Sequence, residues 1–239
     1  MKKFMILAAM AMLVGGASAA VRDTISLNAG WQFHLGELSG IEAVKNAKSE
    51  RVNLPHDFLI GQPWVEPDAS ERPDNSDAGS NVRSRLSPRG FKEMNVGWYR
   101  YVLTPKAEWK GRRVVLDFQG IMLVGDVWLN GKHIGKTDYG YLGFDTDISS
   151  MLKYDGDNEI IVKANTQQPN NSRWYTGGGL YRDVNLIVTD KKLYFPRHPL
   201  FIRTENNKKV KIQAEIACFN KVDNISGTTG SFLVVRPWT

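Results

Sequence analysis

Between Ser172 and Val184 the chain reads Ser-Arg-Trp-Tyr-Thr-Gly-Gly-Gly-Leu-Tyr-Arg-Asp-Val. Two arginines, three aromatic rings and three consecutive glycines thus lead into an apolar stretch. Rings with polar edges and fixed guanidinium forks suit a ligand that is polar at its edges and apolar on its faces, as a sugar is. The glycines permit a sharp bend or a close approach of backbone to another surface. A salt-bridged strand start at Arg182-Asp183 accounts for part of the same pattern without any ligand.

Other polar chemistry is sparse. The histidines His34, His56, His133 and His198 are widely separated and lack metal-ligand spacing. The triple glycine is not a phosphate loop, because no helical pattern and no Gly-Lys-Ser/Thr follows it. No Gly-x-Ser-x-Gly elbow supports a serine nucleophile. Neither a metal nor a cofactor is expected.

The elements that must position these residues read as strands. In Arg112 to Phe118, Val114, Leu116 and Phe118 alternate onto one face, as in a half-buried strand. Asp126 to Lys136 contains Asn130-Gly131, which accepts the positive φ angles of a type I′ hairpin turn. Asn158 to Ala164 and Val184 to Thr189 are further strands. The helical candidates are confined to Gly40–Glu50 and one turn at Ser149–Lys153. Many short strands between turn residues predict an all-β sandwich or barrel. Gly61 to Val96 is polar and long for a loop inside a compact domain, which places it at a binding rim or leaves it disordered.

The chain is 239 residues long, with 42% hydrophobic and 23% charged residues, the composition of an ordinary globular protein. Lys2 and Lys3, the apolar run Phe4 to Val14 and Ala17-Ser18-Ala19 have the pattern of a cleavable signal peptide. The run is shorter than the about 20 residues that span a bilayer. Export to the periplasm or beyond is expected, with residues 1–19 removed and no membrane attachment afterwards. Without Lys2 and Lys3, 29 basic residues face 25 acidic ones. No block of five or six like charges occurs, so nucleic acid is not an expected partner. The lone Cys218 precludes an internal disulfide.

Four blocks in order, Leu54-Pro55-His56-Asp57, Gly97-Trp98-Tyr99-Arg100, Val127-Trp128-Leu129-Asn130-Gly131 and Ser172 to Val184, resemble the N-terminal region of glycoside hydrolase family 2. The resemblance extends over roughly Ile25 to Thr189. It implies a jelly-roll, galactose-binding-like β-sandwich over residues 20–190, followed by the opening strands of an immunoglobulin-like sandwich over 191–239. It also implies a β-galactosidase-like parent enzyme whose catalytic TIM barrel lies elsewhere. Such a barrel needs about 250 residues and an immunoglobulin-like domain about 100, so the chain reads as an N-terminal fragment. The expected partners are an oligosaccharide or β-glycoside substrate and that barrel.

By the same resemblance, Asp57, Arg173, Trp174 and Tyr175 bind substrate. Asp57 would accept sugar hydroxyls, Arg173 would donate to hydroxyls or a carboxylate, and the two rings would wall the sugar. Structural roles remain open for each: a turn cap for Asp57, a brace for Arg173, core packing for the rings. Arg182 and Asp183 read as a structural ion pair, and Trp98 and Trp128 as core. Asn158-Glu159 matches the family's Asn-Glu acid/base dipeptide, but it begins a strand in the sandwich, so no catalytic residue is expected here. A free-standing carbohydrate-binding module and a sandwich without ligand are the competing readings.

Overall fold

In Arg113–Phe118, the alternation of Val114, Leu116 and Phe118 places all three in one continuous core. Val115 and Asp117 on the opposite face are buried too, so this strand is covered on both sides rather than half-buried. The computed structural model describes residues 22–64, 92–167, 177–198, 200–205, 209–218 and 229–234. The signal-like residues 1–19, most of the polar stretch 61–96, and Arg173, Trp174 and Tyr175 lie outside them.

The strands in chain order are β1 (Asp23–Ser26), β2 (Trp31–Leu35), β3 (Glu50–Val52), β4 (Val96–Leu103), β5 (Arg113–Phe118), β6 (Val124–Leu129) and β7 (Lys132–Thr137). They continue with β8 (Phe144–Asp147), β9 (Asn158–Asn165), β10 (Val184–Thr189), β11 (Leu193–Tyr194), β12 (Leu200–Glu205), β13 (Lys209–Cys218) and β14 (Thr229–Val234). Contacts divide the chain into two compact units, one spanning Thr24–Val188 and the other containing Thr189–Thr239.

In the first unit, a six-stranded sheet runs β3-β2-β4-β9-β6-β7 and a four-stranded sheet runs β1-β10-β5-β8. Period-two patterning makes them a sandwich. Trp31, Phe33, Tyr99, Val127, Leu129, Ile160 and Val162 from the larger sheet share one core with Val114, Leu116, Phe118, Val184, Leu186 and Val188 from the smaller. The outer face of the larger sheet carries a second cluster of Val44, Val96, Trp98 and Ile161, against which Trp128 packs. Trp98 and Trp128 are therefore packing residues, stacked with centroids 6.0 Å apart.

The Asn130-Gly131 turn forms as its residue types demand, with φ of 51° and 83°. Asn130 locks it from outside the hairpin: its Nδ2 donates to Asn158 Oδ1 at 2.9 Å and its Oδ1 accepts from the Glu159 amide at 3.0 Å. Helix is scarce, as expected. Gly40–Glu50 yields only a 3-10 segment, Ile41–Asn46, whose Val44 covers the outer sheet face. Residues 149–151 make a turn instead of a helix, closed by Met151 N donating to Ile148 O at 2.9 Å.

In the second unit, β13 pairs antiparallel with β11, β12 and β14. The renewed alternation at Lys209 to Ala217 corresponds to β13.

Candidate functional site

The segment Gly177-Gly178-Gly179-Leu180 meets the Leu-Pro-His-Asp block. His56 N donates to Leu180 O at 2.8 Å and Phe58 N to Gly178 O at 3.0 Å, so the two segments pair edge to edge. On its other side Gly179 exchanges hydrogen bonds with Met122 at 2.8 and 2.9 Å. The glycines are required here. Gly177 and Gly179 have φ of 74° and 110°, a region that L side chains rarely adopt. A Cβ on Gly179 would strike the Tyr99 hydroxyl and come within 2.9 Å of His56 O.

Asp57 is the charged member of this junction. Its Oδ1 accepts from Gly178 N at 2.8 Å and from Leu59 N at 3.0 Å. One carboxylate oxygen thus caps the turn at residues 57–59 and fastens a segment 121 positions away. This is the turn-capping role left open by the sequence, and through it Asp57 serves the fold.

Behind Asp57, the Tyr99 hydroxyl lies 2.9 Å from His56 Nδ1 and accepts from Leu180 N at 3.4 Å. Burial pushes the Tyr99 phenol well above its usual range, so it stays protonated. Burial likewise pulls the His56 pKa down, against the opposing pull of Glu50 and Asp57. A neutral imidazole accepting the Tyr99 proton at Nδ1 satisfies both groups. Next in the chain, Tyr181 Oη donates to Gly140 O at 2.8 Å.

Arg182 and Asp183 do not use each other, contrary to expectation. Arg182 donates to the carbonyls of Gln119 and Tyr141 at 3.4 and 3.3 Å, and its guanidinium lies 5.0 Å from the Tyr181 ring centroid. Asp183 Oδ1 accepts from Asn28 Nδ2 at 2.8 Å. Each flanks a different strand connection, which the adjacent letters of the sequence do not reveal.

Glu159 sits on the outer face of the larger sheet, in a groove of about 390 Å³ lined also by Lys45, Arg100, Val102 and Lys153. Its carboxylate accepts from Arg100 Nε at 2.5 Å and pairs with Lys45 Nζ at 3.2 Å. With both oxygens engaged by cations, it is an ion-pair hub. Sequence reasoning missed Lys92, which is buried and donates from Nζ to Ile60 O at 2.9 Å and Gln62 O at 2.6 Å. It also lies 4.4 Å from the Trp64 ring centroid. Lys92 therefore clamps the base of the long polar stretch; an isolated lysine among polar residues carries no signal of this. Among the described residues no group of three or more His, Cys, Asp or Glu is arranged to hold a metal.

Residues 91–185 match the family model described as glycosyl hydrolase 2 galactose-binding domain-like. A β-galactosidase of Bacteroides ovatus is 32% identical over 172 residues, covering 70% of this chain and 18% of the relative. A β-glucuronidase of Bacteroides fragilis is 30% identical over 183 residues, covering 74% and 22%. Among solved structures, a β-glycosidase from Bacteroides vulgatus superposes with a TM-score of 0.66 at 27% identity, over 90% of this chain and 28% of that one. The chain spans about a fifth of the length of the curated relatives it matches. In sequence and in fold, the chain carries the galactose-binding-like N-terminal domain of glycoside hydrolase family 2.

Proposed function

We propose that this domain shapes part of the substrate site of an exported family 2 glycosidase acting on terminal β-linked galactosides or glucuronides. Bond cleavage belongs to a catalytic barrel, which this chain assists without contributing an acid or nucleophile. The observation that carries the reading is the Asp57–Gly178 hydrogen bond, which unites two of the four family blocks. Arg173, Trp174 and Tyr175 stand two to four positions before Gly177 in sequence, and they belong to the same family block as the glycines that Asp57 holds. The family membership and the glycoside substrates named for the relatives supply the ligand class. Periplasmic or secreted location follows from the signal-like start.

The test uses a protein carrying both this domain and the barrel. Arg173→Ala removes a charged donor to a substrate hydroxyl or carboxylate and should lower kcat/KM about 10- to 150-fold, the equivalent of about 1.5–3 kcal/mol. Asp57→Asn keeps a side-chain oxygen to accept from Gly178 and Leu59, so it should lower kcat/KM with little change in Tm. Unchanged kcat/KM in either variant, or a loss that tracks unfolding, assigns that residue to structure alone and removes it from the site.

A further inference from the structure

The connection between β7 and β8 exposes three large side chains: Tyr139 at 56%, Tyr141 at 39% and Leu142 at 65% of their surfaces. The two tyrosine rings lie 5.6 Å apart, inclined at 57°. The loop is fastened at several points. Thr137 Oγ1 donates to Tyr139 O at 3.1 Å, Leu142 N donates to Tyr139 O at 3.2 Å, and Tyr181 Oη holds Gly140 O. Arg182 holds Tyr141 O. Gly140 packs so closely on Met122 that a Cβ there would collide with the Met122 sulfur. Met122 in turn is bonded to Gly179, so the loop is one bridge removed from the glycine junction.

We propose that Tyr139 and Tyr141 form a sugar platform, an accessory subsite for a pyranose unit of a β-linked oligosaccharide whose terminal unit occupies the junction. The proposal rests on the substrate class of the preceding section and adds to it a second contact point. Rigid, exposed aromatic rings lose little conformational freedom on binding, and their faces match the apolar C–H face of a pyranose. Their hydroxyls add donors and acceptors at the ring edge. Beside them, Lys136 Nζ pairs with Asp138 at 2.8 Å, and Arg182 directs Nη1 at two carbonyls while keeping its positive charge. Exposed apolar groups clustered on a pinned loop mark a contact surface, and the paired rings make it one for flat, part-apolar units.

The experiment is a titration of the chain with β-1,4-linked galactotetraose, followed by NMR shifts of the tyrosine rings, with Tyr139→Ala, Tyr141→Ala and Asp57→Asn alongside. The expected result is saturable binding with Kd on the order of 1 mM, weakened about tenfold or more by each tyrosine variant with unchanged Tm. Asp57→Asn leaves the tyrosine shifts in place, so failure of the junction site and failure of the platform are told apart. No saturation in wild-type protein, unchanged affinity in both tyrosine variants, or ring shifts that follow protein concentration in place of sugar would each overturn the platform. The last outcome would mark the loop as a contact between copies of the chain.

Discussion

At the scale of single residues, the junction shows one carboxylate tying together two segments distant in sequence. Asp57 was singled out for its carboxylate, and that carboxylate meets two backbone amides. The neighbouring His56 gives this arrangement a pH dependence. Its folded pKa lies below its unfolded value because burial disfavours the imidazolium, so the unfolded state binds the proton more readily. Stability is therefore fully present above the unfolded pKa of about 6.5 and is lost as pH falls from there through the lower folded value. Protonation also adds a donor at Nδ1, where the Tyr99 hydroxyl stands at 2.9 Å. Urea unfolding of wild type and His56→Gln between pH 7.5 and 5 checks this. The wild type should weaken on acidification more steeply than the variant; parallel curves would clear His56 of the role.

At the scale of elements, Glu159 shows how far a dipeptide can mislead when its strand is ignored. Asn158 is buried and folds back to the Lys153 carbonyl at 2.8 Å, while Glu159 points to the outer face between Arg100 and Lys45. Its pairing with Arg100 is part-buried, at 16% and 24% side-chain exposure, so Glu159→Gln should cost about 1–3 kcal/mol of stability. In a barrel-containing protein the same change should leave kcat within about twofold, because both carboxylate oxygens are engaged by cations on the sheet rather than held for substrate. Denaturant midpoints and steady-state rates on one preparation check both halves. The strands themselves were legible because period-two apolar alternation and the Asn130-Gly131 turn act locally. What stayed illegible were pairings across distance. Nothing in Arg182-Asp183 announces that the arginine serves Gln119 and Tyr141 while the aspartate serves Asn28. Nothing in Lys92 announces two carbonyls and a tryptophan. The family blocks were legible as sequence, but the reach of Asp57 to Gly178 was not.

At the scale of the whole molecule, the buried core of the sandwich is drawn, among the described residues, from Leu27 to Val188. The strands that follow β10 form a separate sheet centred on β13. A domain folds on its own when the apolar surface it buries lies within its own sequence, and about 165 residues is ample for one core. A chain covering residues 20–190 should therefore unfold in a single cooperative transition, with a stability within about 1 kcal/mol of the same unit in the full chain. Lys191 and Lys192 are exposed just beyond β10, so brief trypsin treatment of the full chain should release a fragment ending there before it cuts within the sandwich. Mass spectrometry of the early products and a thermal melt of the shortened chain provide the check. First cuts inside β4, β5 or β9, or a shortened chain that fails to fold, would mean that the sandwich depends on the strands after Thr189 and that the two units are one domain.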